Sequence, residues 1–135
     1  MAYERRLTEL RPGVVGVGTD VIEIERFRTI LRERPRMIDR LFTDHERAVA
    51  DRRTEPARPF AARFAAKEAA MKAMGVGLGE VRFRELEVVR SASGAPSLVV
   101  TGGAAEIAGS LGIVRWHLSM SHSDLIAQAF VVAEG

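Results

Sequence analysis

The chain has 135 residues, of which 47% are hydrophobic, enough for one domain with a real core and unlike a disordered composition. It contains no cysteine, which excludes disulfides, thiolate chemistry and cysteine-based zinc sites. Net charge is only +2, yet residues 1–75 hold 16 Lys and Arg against 12 Asp and Glu, while residues 76–135 hold 4 against 6. The basic excess lies mostly between Arg26 and Arg63, which points either to an anionic partner or to a solvated helical surface.

In chain order, Met1–Arg11 is charged and lacks a signal-peptide core, and no run approaches the roughly 18 apolar residues of a membrane span. A soluble cytoplasmic protein with no membrane role is expected. Residues 1–12 read as an N-terminal extension and 13–135 as the domain. Val14–Val17 is β-rich and ends in Gly18-Thr19-Asp20, which predicts a strand there. Ile22, Ile24, Phe27, Ile30 and Leu31 approximate helical spacing, and Pro35 ends that helix. Thr43-Asp44-His45-Glu46 is a capping-box pattern that opens a second helix. A third helix is predicted from about Pro59 to Met74, with Gly75 as its cap.

The second half reads differently. Val81–Arg90 alternates imperfectly, like a strand. Ser93–Pro96 is a turn, and Ser97–Thr101 is its hairpin partner. Ala104–Leu111 is a short helix, and Val114–Met120 and Ala127–Ala133 are two further strands. The order β-ααα-ββ-α-ββ predicts an α+β fold with helices packed on a mainly antiparallel sheet.

Four stretches carry residues suited to chemistry. Gly16-Val17-Gly18-Thr19-Asp20 puts a carboxylate just past a strand, where glycines let a ligand approach the backbone and a hard oxygen suits Mg²⁺. An Asp that N-caps the next helix is the competing meaning. On the helix that carries Arg63–Lys72, the residues Phe60, Phe64 and Met71 share one stripe, with Glu68 and Lys72 on one edge and Arg63 and Lys67 on the other. Ala61 and Ala65 leave room beside them for something large. Glu68 and Lys72 read either as an ordinary helical pair or as a metal ligand and a phosphate ligand. Lys67 and Lys72 are the only lysines beside 18 arginines. A compact ammonium suits a phosphate oxygen better than a planar fork does, which hints at chemistry in that helix. Gly75-Val76-Gly77-Leu78-Gly79 is either a cap and loop or a place where backbone N–H groups meet a phosphate. In Ser119–Asp124, His122 is a proton acceptor, a phosphate donor or a hydrogen-bonded turn residue.

Taken together, GVGTDVIEIERF, LFTDHE, RFAAKEAAMKAMGVGLG and HLSMSHS resemble the holo-acyl-carrier-protein synthases, the small phosphopantetheinyl transferases. The resemblance runs from about Gly13 to Glu134. Its defining pair is G-x-D, here Gly18-Thr19-Asp20, and F-x-x-K-E-A-x-x-K, here Phe64 to Lys72. It implies a phosphopantetheinyl transferase-like fold. It also implies transfer of 4′-phosphopantetheine from coenzyme A to a serine of apo acyl carrier protein, with 3′,5′-ADP leaving. By the same resemblance Asp20 and Glu68 bind Mg²⁺, and Asp20, Glu68 and Lys72 form the catalytic set. Arg63, Lys67, Lys72, Gly75, Gly77 and His122 are then candidates for binding coenzyme A. Arg26, Arg28 and Arg36 are candidates for docking an acidic carrier protein. Family members are homotrimers with the site between subunits, so His122 and the Gly75–Gly79 loop are expected to face a neighbour's metal site. Arg52, Arg53 and Arg58 are candidates for the 3′-phosphate. Fatty-acid and polyketide carriers both remain open as substrate.

Two other classes compete. A basic nucleic-acid-binding module is supported by the arginine excess, but no recognised nucleic-acid motif and little aromatic interleaving accompany it. Another Mg²⁺-dependent phosphotransferase or nuclease would use the same Asp20 and Glu68.

Overall fold

The ten-residue strand β1 (Val14–Glu23) begins the computed structural model, which describes residues 13–135. The expected extension over residues 1–12 lies outside the described residues. Four helices follow: α1 (Ile24–Glu33), α2 (Met37–Leu41), α3 (Asp44–Asp51) and α4 (Ala57–Met74). A short 3-10 turn at Phe83–Glu85 leads into the hairpin of β2 (Leu86–Arg90) and β3 (Pro96–Val100). Then come α5 (Gly102–Ser110), β4 (Arg115–His122) and β5 (Ile126–Glu134). Strands β1, β5 and β4 form an antiparallel sheet with β5 in the middle, and β2–β3 form a second antiparallel pair. The α+β expectation therefore holds. Among the described residues, no helix is long and apolar enough to cross a membrane.

Several boundaries moved for identifiable reasons. Residues Gly18-Thr19-Asp20 do not end β1. The strand continues to Glu23 because β5 pairs along it, with Asp20 opposite Ala129 and Glu23 opposite Ile126. Ile22 accordingly belongs to the strand, and α1 starts at Ile24, so Asp20 caps no helix. Helix α2 has only five residues, too few for periodicity to register. The first part of the expected strand Val81–Arg90 is a turn instead. There the carbonyls of Phe83 and Leu86 face inward to Lys67. The capping box opens α3 as read: Thr43 Oγ1 accepts from the Glu46 N–H, and Glu46 Oε1 accepts from the Thr43 N–H. Gly75, at φ +71°, ends α4 in the left-handed conformation that glycine tolerates best.

Helix α4 is the centre of the molecule. Its alanines pack on the sheet on one side and toward β2 and α1 on the other. A β-carbon on Gly16 would lie 1.9 Å from the carbonyl oxygen of Ala73, and one on Gly18 would lie 1.9 Å from that of Ala69. These glycines were expected to open the backbone to a ligand. They instead let β1 lie directly against the α4 backbone. The room expected beside Ala61 and Ala65 is likewise filled, since both are fully buried.

Candidate active site

The glycine contacts show where Asp20 falls. Gly16 meets Ala73 and Gly18 meets Ala69, so β1 runs antiparallel to α4. Two strand residues advance about 6.6 Å and four helical residues about 6 Å, so the steps stay nearly matched. The next inward residue of β1 is Asp20, which therefore meets the turn of α4 holding Ala65 and Glu68. Beyond Phe60, only Phe64, Glu68 and Lys72 of α4 reach the surface. Spaced at four residues, they form a single open strip on an otherwise buried helix.

Charge is concentrated on that strip. Lys72 Nζ donates to the Thr19 carbonyl at 2.9 Å and to Asp20 Oδ1 at 3.1 Å. The lysine thus pairs across elements, not along its helix with Glu68. Its side chain is 55% exposed and that of Asp20 only 17%. Asp20 Oδ2 is buried and has no hydrogen-bond partner. Burial, reinforced by the charge of Asp20, raises the Glu68 carboxyl above its ordinary value, and Lys72 opposes this. An orphaned carboxylate oxygen beside a second, destabilised carboxylate is a donor set that fits a hard cation. Among the described residues no further His, Asp or Glu completes a larger cluster. Such a cation would therefore take its other ligands from water or a bound phosphate, which suits Mg²⁺.

A second feature lies near the start of α4. A cleft of about 450 Å³ is lined by Arg53, Arg58, Arg63, Arg90 and His122, among others. Arg63 is almost fully buried. One of its terminal nitrogens donates to the Pro59 carbonyl at 3.3 Å, while Nε is buried without a partner. Burial pulls Arg63 below its ordinary pKa, against the stabilising charge of Glu46. Arg58 is held by Glu55 and by Asp124. Glu55 also lines the cleft, and the arginines outnumber it, a balance that suits an anion.

The family model of the 4′-phosphopantetheinyl transferase superfamily matches residues 16–130. The chain belongs to this superfamily. A holo-[acyl-carrier-protein] synthase of Clavibacter sepedonicus is 46% identical over 120 residues, covering 89% of this chain and 95% of that protein. One from Streptomyces avermitilis is 45% identical over 122 residues, covering 90% and 98%. Among solved structures, the holo-[acyl-carrier-protein] synthase of Neisseria meningitidis superposes with a TM-score of 0.84 at 33% identity, covering 91% of this chain and 100% of that one. The Bacillus anthracis holo-(acyl-carrier-protein) synthase in complex with CoA (3′,5′-ADP) matches with a TM-score of 0.76 at 37% identity, covering 90% and 97%.

In this phosphopantetheinyl transferase the remaining candidates divide. Asp20, Glu68 and Lys72 come together, and Arg63 and His122 share the arginine cleft. Lys67 joins neither group, which corrects its reading as a coenzyme A ligand. Its side chain is fully buried, and its ammonium donates to Glu46 Oε1 at 2.7 Å and to the carbonyls of Phe83 and Leu86 at 2.9 Å each. Three donors meet three acceptors, leaving nothing to offer a phosphate in this arrangement. Desolvation lowers its pKa, opposed chiefly by Glu46. Gly75 and Gly77 also use their N–H groups internally, on the Lys72 carbonyl and on Glu80 Oε2. Arg26 and Arg36 are exposed, whereas Arg28 is partly covered and paired with Glu25 and Glu55. Sequence reasoning missed two residues. Arg90 reaches the cleft from the far hairpin, and nothing in its surroundings marks it. Glu46 carried a signal, but only as a capping residue.

Proposed function

We propose that this chain is a holo-acyl-carrier-protein synthase that moves 4′-phosphopantetheine from coenzyme A to a serine of an apo carrier protein. The observation that carries the reading is the unpartnered Asp20 Oδ2 beside Glu68 and Lys72. Asp20 and Glu68 would hold Mg²⁺, which supplies charge neutralisation for a pyrophosphate when bound. Lys72 lies on the open strip and can swing from Asp20 to a phosphate oxygen. There it would stabilise charge that builds on the leaving phosphate. The serine oxygen bonds to the phosphorus bearing the pantetheine arm. The bond from that phosphorus to the bridging oxygen breaks, and 3′,5′-ADP leaves with the electron pair. The serine proton passes to Glu68 or to water.

The arginine cleft supports coenzyme A as donor, because coenzyme A carries a further phosphate on its ribose. Arg53, Arg58, Arg63, Arg90 and His122 are the groups we assign to it. Exposed Arg26 and Arg36, together with Arg28, are assigned to carrier docking. The outer face of the β1–β5–β4 sheet supports self-association into a homotrimer. Val17 and Phe130 are 56% and 46% exposed there, with Val21 and Ile126 beside them. Since coenzyme A and carrier proteins of lipid or polyketide synthesis are the substrates, the site of action is the cytoplasm.

Intact mass of an apo carrier protein after incubation with this enzyme, coenzyme A and Mg²⁺ tests the reading. A gain of one phosphopantetheine is expected. No gain on fatty-acid or polyketide carriers would overturn it.

A further inference from the structure

Helix α4 has an unusual surface for an element that must place Glu68 against Asp20. Ala61, Ala65, Ala66, Ala69, Ala70 and Ala73 are buried along it, and its larger buried apolar side chains, Phe60, Met71 and Met74, lie toward its two ends. Helices are normally fixed in rotation and along their axes by side-chain ridges seated in grooves, and methyl groups make shallow ridges. The contacts with Gly16 and Gly18 set how near α4 comes to β1, but they are contacts with helix backbone, which repeats at every turn. A shift of one residue along the helix would turn Glu68 by about 100° and displace it by about 1.5 Å.

One group on α4 distinguishes these positions sharply. The Lys67 ammonium reaches Glu46 at the start of α3, the Phe83 carbonyl in the 3-10 turn and the Leu86 carbonyl at the start of β2. Glu46 is fixed in turn, since it accepts from the Thr43 N–H at 3.0 Å and from the Val88 N–H at 2.9 Å. Lys67 and Glu46 are both 0% exposed, so neither can touch a substrate. Phe60, Met71 and Met74 resist slippage by their bulk, but a slipped helix would in addition leave a buried ammonium and a buried carboxylate unpaired, a large penalty that apolar packing does not impose. Phe83 also stacks on Phe64, at a centroid distance of 5.5 Å, which ties the same turn to the open strip.

We propose that the buried Lys67–Glu46 pair is a positioning device that fixes the rotation and register of α4, so that Glu68 meets Asp20. The inference rests on the reading of those two carboxylates as shared metal ligands. It predicts that loss of the pair loosens the metal site even where the protein stays folded.

The test is Mn²⁺ titration followed by electron paramagnetic resonance, with coenzyme A present. It compares wild type with Lys67→Gln, which keeps neutral donors, and with the double variant Glu46→Gln/Lys67→Met, which removes both charges together. Circular dichroism and thermal melts select variants and temperatures at which the chain is folded. A folded variant is expected to bind Mn²⁺ at least about tenfold more weakly, as loss of outer-shell support does at metal sites. The Mg²⁺ concentration for half-maximal transfer should rise in step, with KM for the carrier unchanged. A purely structural pair would lower the melting temperature and leave Mn²⁺ affinity where it was, and that result would overturn the proposal. Failure of wild type to bind Mn²⁺ would instead remove the metal reading of Asp20 and Glu68, and the inference with it.

Discussion

The carbonyl oxygen of Ala69 occupies the space a side chain on Gly18 would need, 1.9 Å from the position of its β-carbon. The obstacle is helix backbone, so no side-chain rotation can relieve it, and α4 must move away from β1. Gly18→Ala is expected to cost about 3 kcal/mol or more in urea unfolding, at the upper end of core overpacking. The same displacement separates Glu68 from Asp20, so activity should fall in the protein that remains folded. An unchanged urea midpoint would mean that β1 and α4 do not pack this closely.

The sequence carried much of this architecture in local signals. Thr43 with Glu46, Gly75 after Met74, and the turn before Pro96 each depend on chemistry within a few residues, and each is found where it was read. Signals that depend on distant partners were misread. Gly16 and Gly18 look like a ligand-facing loop until the carbonyls of Ala73 and Ala69, more than fifty residues away, are placed against them. Lys67 and Lys72 sit on opposite edges of one helical stripe, and nothing local tells which edge is open. Only the packing of α3 and β2 against one side of α4 buries the first and leaves the second open. Arg90 gave no hint of the cleft, because its place there depends on how the hairpin folds back.

Asp20 has one carboxylate oxygen buried and unpartnered, and its charge acts against that of Glu68. Asp20→Asn removes a charge that repels Glu68 and keeps the shape of the side chain. The apo protein should melt at the wild-type temperature or a few degrees higher, while transfer falls by about two orders of magnitude or more. Glu68→Gln should behave alike, and chelation should reproduce the loss in wild type. Full Mg²⁺-dependent turnover in either variant would refute a shared metal.

Glu85 gives a pH-dependent prediction. Its carboxylate accepts from the Arg82 N–H at 3.0 Å and from the Gly103 N–H at 2.8 Å, pinning the start of α5 to the 3-10 turn. The bond from Arg82 is the main cause of a pKa held below the ordinary 4.5. The stabilisation is present above pH 4.5 and is lost as pH falls through the lowered folded value. Glu85→Gln keeps an acceptor oxygen and loses only the charge, so it should cost about 0.5 kcal/mol at neutral pH, the scale of an exposed charge at a helix N-terminus. The gap from wild type should close in strong acid. Urea unfolding from pH 7 downward measures it, and a gap that persists unchanged in acid would show that the charge plays no part.

Lys72 separates chemistry from architecture. In the structure it bonds the Thr19 carbonyl and Asp20, and its side chain is more than half exposed. A surface ion pair of this kind contributes little to stability, so the fold does not explain why lysine stands here in a chain that otherwise uses arginine. Lys72→Arg keeps the charge and a similar helix propensity, and the melting temperature should hardly move. A guanidinium is wider than an ammonium, and its donors are fixed in a plane. It cannot follow a phosphate oxygen as the charge on that oxygen grows during transfer. The rate constant for transfer in a single turnover should drop strongly, about tenfold to a hundredfold, beyond any weakening of coenzyme A binding. A loss confined to KM for coenzyme A would make Lys72 a binding residue only. Near-normal kinetics would return it to a surface partner of Asp20.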